Sequence, residues 1–170
     1  MKNISFRNDV LPLKNELFRL ALRITLNRAE AEDIVQDTLI KVWNNRDHWG
    51  DIDSIEAYCL TITRNLSLDH LKKSGRDTKS LDERPQDEID QSSNPYEDML
   101  QKDRINLLHR LVDGLPEKQR CCMQLRDFEG KPYKEIANIL SITEEQVKVN
   151  IFRARQAIKQ QFREFDKYGL

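Results

Sequence analysis

Glycine and proline are scarce in this chain of 170 residues, with five of each. Few segments alternate apolar and polar residues. Sheet folds depend on such alternation and on frequent turn residues, so the pattern predicts helices. Cysteine is rarer still: Cys59 and the adjacent pair Cys121 and Cys122. That spacing makes neither a zinc site nor a C-x-x-C redox centre. All three fall at helical core positions, where cysteine acts as a small buried hydrophobe. No apolar run approaches the ~20 residues of a membrane span. The N-terminal stretch MKNISFRNDVLPLKNE lacks the apolar centre of a signal peptide. These absences predict a cytoplasmic chain with no membrane insertion.

Net charge is also nearly absent, at −1, but it is unevenly spread. Residues 1–73 balance, residues 74–102 are acidic, and residues 103–170 carry a positive excess. Local patches decide what a chain attracts, so the neutral total does not exclude nucleic acid.

The strongest pattern runs from Tyr133 to Gln160. Ile136, Ala137 and Leu140 mark a short helix that ends in a tight turn at Ser141 and Ile142. Thr143, with Gln146 three residues on, is a capping box opening a longer helix. Val147, Ile151, Ala154 and Ile158 share one face of that helix. Glu145, Lys148, Val149, Phe152 and Arg153 lie on the other. Two amphipathic helices around a turn occur in many all-α proteins and most contact only other helices. Here Lys148, Arg153, Arg155, Lys159, Arg163 and Lys167 outnumber Glu164 and Asp166. Cations clustered along one helix suit phosphate neutralisation, so the pattern reads as a DNA-binding helix-turn-helix.

Three helices are legible before residue 74. Leu17, Leu20, Ala21 and Ile24 mark the first. An Asn27-to-Glu30 cap opens the second, with Ala31, Ile34, Val35, Leu39 and Val42 inward. The third starts at Asp53 with Glu56, after a loop over residues 44–52. Residues 74–98 are polar and acidic and bury too little apolar surface to offset ordering, which predicts a flexible linker. Helical spacing resumes with Met99, Ile105, Leu108 and Val112. Gly114 stops that helix, and Pro116 opens another through Cys122, Leu125 and Phe128. Gly130 and Pro132 repeat the stop-start signal. The expected architecture is all-α: a helical domain over 1–73, an acidic linker over 74–98 and a second helical domain over 99–170.

Two further faces carry chemistry. Asp33, Gln36, Asp37 and Ile40 lie opposite the core stripe of the second helix. An arbitrary helix would simply solvate such a face; as a functional face it offers a dock for a basic partner. No histidine lies nearby to make it a metal or hydrolytic site. On the third helix Thr61, Arg64, Asn65, Asp69 and Lys72 share a face, followed by Lys73. An amide and a hydroxyl beside cations can read unpaired bases and hold their backbone. The preceding loop places His48 and Trp49 where an exposed base could stack, although a lone loop histidine is usually only solvated. Trp43 is assigned to the core.

These residues resemble a known family. AEDIVQDTLIKVW, SIEAYCLTITRNLSLDHLKK, LPEKQRCCMQLRDFEGKPYKEIANIL and QVKVNIFRARQAI, in this order and separation, resemble the extracytoplasmic-function sigma factors of bacterial RNA polymerase. The resemblance spans about residues 10–73 and 100–162. It implies a first domain that docks on the polymerase clamp helices through Asp33, Gln36, Asp37 and Ile40 and melts the −10 promoter element. His48, Thr61, Arg64, Asn65, Asp69, Lys72 and Lys73 then fall on the −10 DNA, with Asn65 capturing a flipped base beside a wall built from Asn45 to Asp53. The second domain is implied to read the −35 element through Glu145, Lys148, Val149, Phe152, Arg153 and Arg155. The polymerase flap and an anti-sigma factor are further implied partners, with no cofactor, metal or catalytic residue. The chain departs from the family where Ser141 replaces a glycine in the turn. Val149 and Asn150 replace a serine and an arginine, so the family's usual −35 sequence is no longer implied.

Three other readings stay open on sequence. A transcriptional regulator would need a ligand or receiver domain, for which residues 1–73 are too short and too polar-faced. A nuclease would need a metal cluster. A pure interaction protein would leave the basic helix unexplained.

Overall fold

Helix α1, Lys14–Thr25, forms where Leu17, Leu20, Ala21 and Ile24 recur at helical spacing, and all four are buried. Helix α2, Arg28–Asn44, starts at the expected cap, with Asn27 Oδ1 accepting from the Glu30 N–H at 3.0 Å. Ala31, Ile34, Val35 and Val42 are buried, and Leu39 is half-buried. Helix α3, Ile55–Lys73, is capped by Ser54 rather than Asp53; the Ser54 hydroxyl accepts from the Ala57 N–H at 3.2 Å. Buried hydroxyls between α2 and α3 are satisfied locally. Thr38, Thr63 and Ser67 donate to the carbonyls of Ile34, Cys59 and Thr63, at 2.8, 2.9 and 2.7 Å. Serine and threonine can therefore sit in this packing without stranding a polar group.

The structure, a computed structural model, describes residues 3–75 and 96–167, with side chains over 3–75 and 101–164. The linker expected over 74–98 lies almost wholly outside the described residues. Helix α4, Tyr96–Asp113, begins just ahead of the expected boundary. Towards its C-terminal end Val112 is buried and Leu108 half-buried, whereas Ile105, assigned to the stripe, is exposed. Helix α5, Glu117–Met123, follows Pro116 and widens into a looser turn over Gln124–Phe128. That turn leaves Phe128 exposed, not in the core as its spacing had suggested. Gly130, at φ 72°, ends the turn. Helices α6, Tyr133–Leu140, and α7, Glu144–Lys167, complete the chain. No strand occurs among the described residues.

The two halves pack against each other, α1 on α5 and α3 on α6. Leu17, Leu20, Cys59 and Leu60 join Cys122, Leu125, Ile136 and Ile139 in one buried cluster. Charge reinforces this seam. Arg23 is buried; its Nε donates to Gln124 Oε1 at 2.9 Å and its Nη1 to Asp113 Oδ1 at 2.8 Å. The guanidinium also lies over the Phe128 ring, 5.1 Å from its centroid. Arg19 forms a two-pronged pair with Glu129, and Lys131 is held by Glu16 at 2.9 Å and by Glu56.

His109 Nδ1 lies 3.1 Å from Arg23 Nη2, so the ring serves Arg23 as an acceptor only while neutral. Burial and the Arg23 charge lower its pKa below the ordinary 6.5, with Asp113 opposing. The unfolded chain therefore takes up the proton more readily. The contribution of His109 to stability is complete above pH 6.5 and is lost as the pH falls below it. The urea midpoint should fall between about pH 7.5 and about pH 5.5, and His109→Gln should remove part of that fall. An identical pH profile in the variant would take His109 out of the seam's energetics.

Candidate nucleic-acid interface

The turn between α6 and α7 aims the second helix. Ser141 adopts the left-handed region at φ 55°, the conformation glycine reaches at least cost, and the Ile142 N–H returns to the Ala137 carbonyl. Both arms of the capping box form: Thr143 N–H donates to Gln146 Oε1 at 3.0 Å, and Gln146 N–H to Thr143 Oγ1 at 3.1 Å. Val147, Ile151, Ala154 and Ile158 are buried, which turns Glu145, Lys148, Val149, Phe152 and Arg153 outward. All five are exposed. Lys148 Nζ sits 5.7 Å from the Tyr133 ring centroid. Arg155 is already engaged in a two-pronged pair with Asp127, so it holds α7 to the turn over Gln124–Phe128. Its sequence context showed only a cation; the partner is 28 residues away and became visible only in the fold.

The α3 face is partly covered. Asn65, Asp69, Lys72 and Lys73 are exposed. The Thr61 hydroxyl donates back to the Ala57 carbonyl at 2.8 Å. Arg64 is half-buried against the second half of the chain, with its Nε 3.8 Å from Glu117 Oε1. That Nε is buried and has no hydrogen-bond partner, so its bonding capacity is unmet in this arrangement. The loop before α3 departs from expectation at both tryptophans. Trp49 is buried, 8% exposed, and its Nε1 donates to the Val42 carbonyl at 3.1 Å. It closes the hydrophobic core and is not available to stack on a base. Trp43, assigned to the core, is 45% exposed; it contacts Phe6 and Trp49 by its edges and carries Arg46 over its ring at 4.4 Å. His48 stands exposed on the short turn Arg46–Asp51.

On α2, Asp33, Gln36, Asp37 and Ile40 are all exposed on one face. Ile40, 58% exposed, continues into Trp43 one turn further on. Trp43 thus extends this face, a role its apolar character had hidden.

All three cysteines are free and buried. Burial pushes the Cys59 and Cys122 thiols up to about 12, so they stay protonated and unreactive. Among the described residues no cluster of His, Cys, Asp or Glu could hold a metal ion. Among them, too, no helix is long and apolar enough to cross a membrane.

Residues 10–77 match sigma-70 region 2, and residues 105–158 match sigma-70 region 4. The ECF RNA polymerase sigma factor SigL of Mycobacterium tuberculosis is 31% identical over 144 residues, covering 84% of this chain and 80% of SigL. The RNA polymerase sigma-H factor of Pseudomonas aeruginosa is 27% identical over 157 residues, covering 88% and 81%. In fold, the chain is similar to the sigma factor RpoE of Bartonella quintana, solved with the anti-sigma factor NepR. That match has a TM-score of 0.70 at 23% identity and covers 93% of this chain and 96% of RpoE. The matched regions set the class: a helical protein of the sigma-70 type, with region 2 in its first half and region 4 in its second. Within that class the chain belongs to the extracytoplasmic-function group of RNA polymerase sigma factors. It directs promoter-specific transcription initiation, with RNA polymerase and promoter DNA as its partners.

The two aromatic and imidazole side chains of the α2–α3 turn should separate cleanly. Trp49→Ala should cost about 3–5 kcal/mol by leaving a cavity and an unpaired Val42 carbonyl. His48→Ala should change stability by less than about 0.5 kcal/mol. Chemical denaturation of both variants checks this. A small effect at Trp49 would mean that it is not the closing residue of the core.

Proposed function

We propose that the two halves divide promoter recognition between them. Residues 1–73 dock on core polymerase through Asp33, Gln36, Asp37 and Ile40, then hold the opened −10 strand on the α3 face through Thr61, Arg64, Asn65, Asp69, Lys72 and Lys73, with His48 at its edge. Residues 99–170 read the −35 duplex through the exposed face of α7. The observation that supports this most is that face: five exposed side chains turned outward by a buried stripe directly behind a helix-turn-helix turn. An N-terminal segment of a second helix, presented in this way, fits the major groove. Arg155 steadies α7 and contributes to phosphate attraction from the rim. The chain has no catalytic activity of its own, works in the cytoplasm, and is restrained by an anti-sigma factor.

This division of labour requires the halves to separate. Elements about 25 base pairs apart at ~3.4 Å per step lie roughly 85 Å from each other. A packed chain of this length has a radius of gyration of only about 15 Å. On opening, Arg64 leaves Glu117 and reaches the DNA backbone, gaining the hydrogen bonds its Nε lacks here. In vitro transcription with core polymerase on a diverse promoter library tests the whole reading, and absence of initiation on every member would overturn it.

Two sets of variants test its parts. Asp37→Arg places a like charge against a basic dock, which can cost several kcal/mol in binding. Core polymerase affinity should drop while the circular-dichroism spectrum stays helical. Unchanged affinity with an intact spectrum would remove Asp37 from the interface. Arg153→Ala should weaken −35 duplex binding by about 1–3 kcal/mol if it contacts a guanine. Asn65→Ala should leave closed duplex binding intact and impair opening, read by permanganate reactivity of unpaired thymines. Equal loss of duplex binding by both variants would refute the division proposed here.

A further inference from the structure

The outward face of α7 contains an apolar pair that a solvated helix has no reason to carry. Val149 is 44% exposed and Phe152 is 63% exposed. Neither can turn inward, because Val147, Ile151 and Ala154 already fill the core side of the helix. Covering a side chain such as phenylalanine is worth roughly 1.5–3 kcal/mol, so an exposed pair at i and i+3 gains from a partner that covers both. Their polar neighbours are partly committed elsewhere. Lys148 leans over Tyr133, the Asn150 amide donates to the Gln146 carbonyl at 2.8 Å, and Arg155 pairs with Asp127. Valine and phenylalanine have no donor or acceptor to offer a base. In the major groove the one apolar feature on a base edge is the 5-methyl group of thymine.

We infer that Val149 and Phe152 select thymine at the −35 element by enclosing 5-methyl groups. This inference rests on the −35 reading of α7. Side chains one helical turn apart stand about 5–6 Å from each other, which places their targets within about two base pairs at ~3.4 Å per step. Lys148 behind them and Arg155 at the rim supply positive charge that draws the helix towards the phosphates. Glu145 and Arg153 remain to read hydrogen-bonding edges; the apolar pair reads only shape and hydrophobicity.

Replacing thymine by uracil removes the methyl and leaves every hydrogen-bonding group in place, so it isolates this contact. Core polymerase carrying the full-length chain would select from a duplex library randomised at the −35 element. Thymine should be enriched at one or two neighbouring positions. In the selected duplex, deoxyuridine at each of those positions should weaken binding about fourfold, the fold-change expected for one buried methyl group. Val149→Ala should abolish the thymine–uracil difference at one position, and Phe152→Ala at the other, both with an unchanged circular-dichroism spectrum. Selection of a defined sequence with equal affinity for thymine and uracil everywhere would overturn the inference and leave the −35 reading standing. So would methyl sensitivity that survives both substitutions. If no sequence is enriched at all, the −35 reading fails and this inference fails with it.

Discussion

Arg23 is a full positive charge held out of water where α1 meets α4 and the end of α5, and the placement of the two halves turns on satisfying it. Removing an ion from water costs several kcal/mol even after relaxation, so a buried guanidinium persists only where the fold supplies partners around it. Gln124, Asp113, His109 and the face of Phe128 supply them, and each comes from the second half of the chain. The wide turn over Gln124–Phe128 brings Gln124 and Phe128 to the same guanidinium. With α1 registered this way, Arg19 meets Glu129, and Lys131 drops between Glu16 and Glu56. The apolar cluster beneath supplies attraction, and the charges supply register.

The same packing sorts the exposed faces. The α7 face lies away from the seam and is open. The outward face of α2 is also open, with Ile40 and Trp43 placing apolar surface among its carboxylates. The α3 face borders the seam, and Arg64 is drawn into it at a distance too long for a good hydrogen bond. The contact that half-covers Arg64 is therefore a poor one by the standards of the Arg23 cluster. A cation with unmet donors is easier to transfer to phosphate than one already satisfied.

Helix caps and turns were legible because they are local. Asn27 with Glu30 and Thr143 with Gln146 satisfy backbone groups three residues away, so a short window of sequence contains both partners. The tight turn at Ser141 was legible for the same reason, and the family's glycine at that position implied the left-handed backbone it adopts. The two tryptophans were assigned the wrong way round because both are apolar enough for a core and only one fits it. The bend of the Arg46–Asp51 turn decided that Trp49 would close over Val42. Ile105 and Phe128 stood at helical spacing, yet spacing only nominates a face: Ile105 stays exposed, and Phe128 meets Arg23 and His109 rather than the apolar core.

By itself the sequence determined the helices, most of their inward stripes, the helix-turn-helix and the family they compose. All of these depend on periodicity and on contacts within a turn or two of chain. Only the tertiary structure decided which charges meet. Arg23 with Asp113, Arg64 with Glu117 and Arg155 with Asp127 join residues far apart in sequence. A long-range ion pair leaves no local pattern, because each partner alone looks like an ordinary solvated charge until the fold removes the water between them.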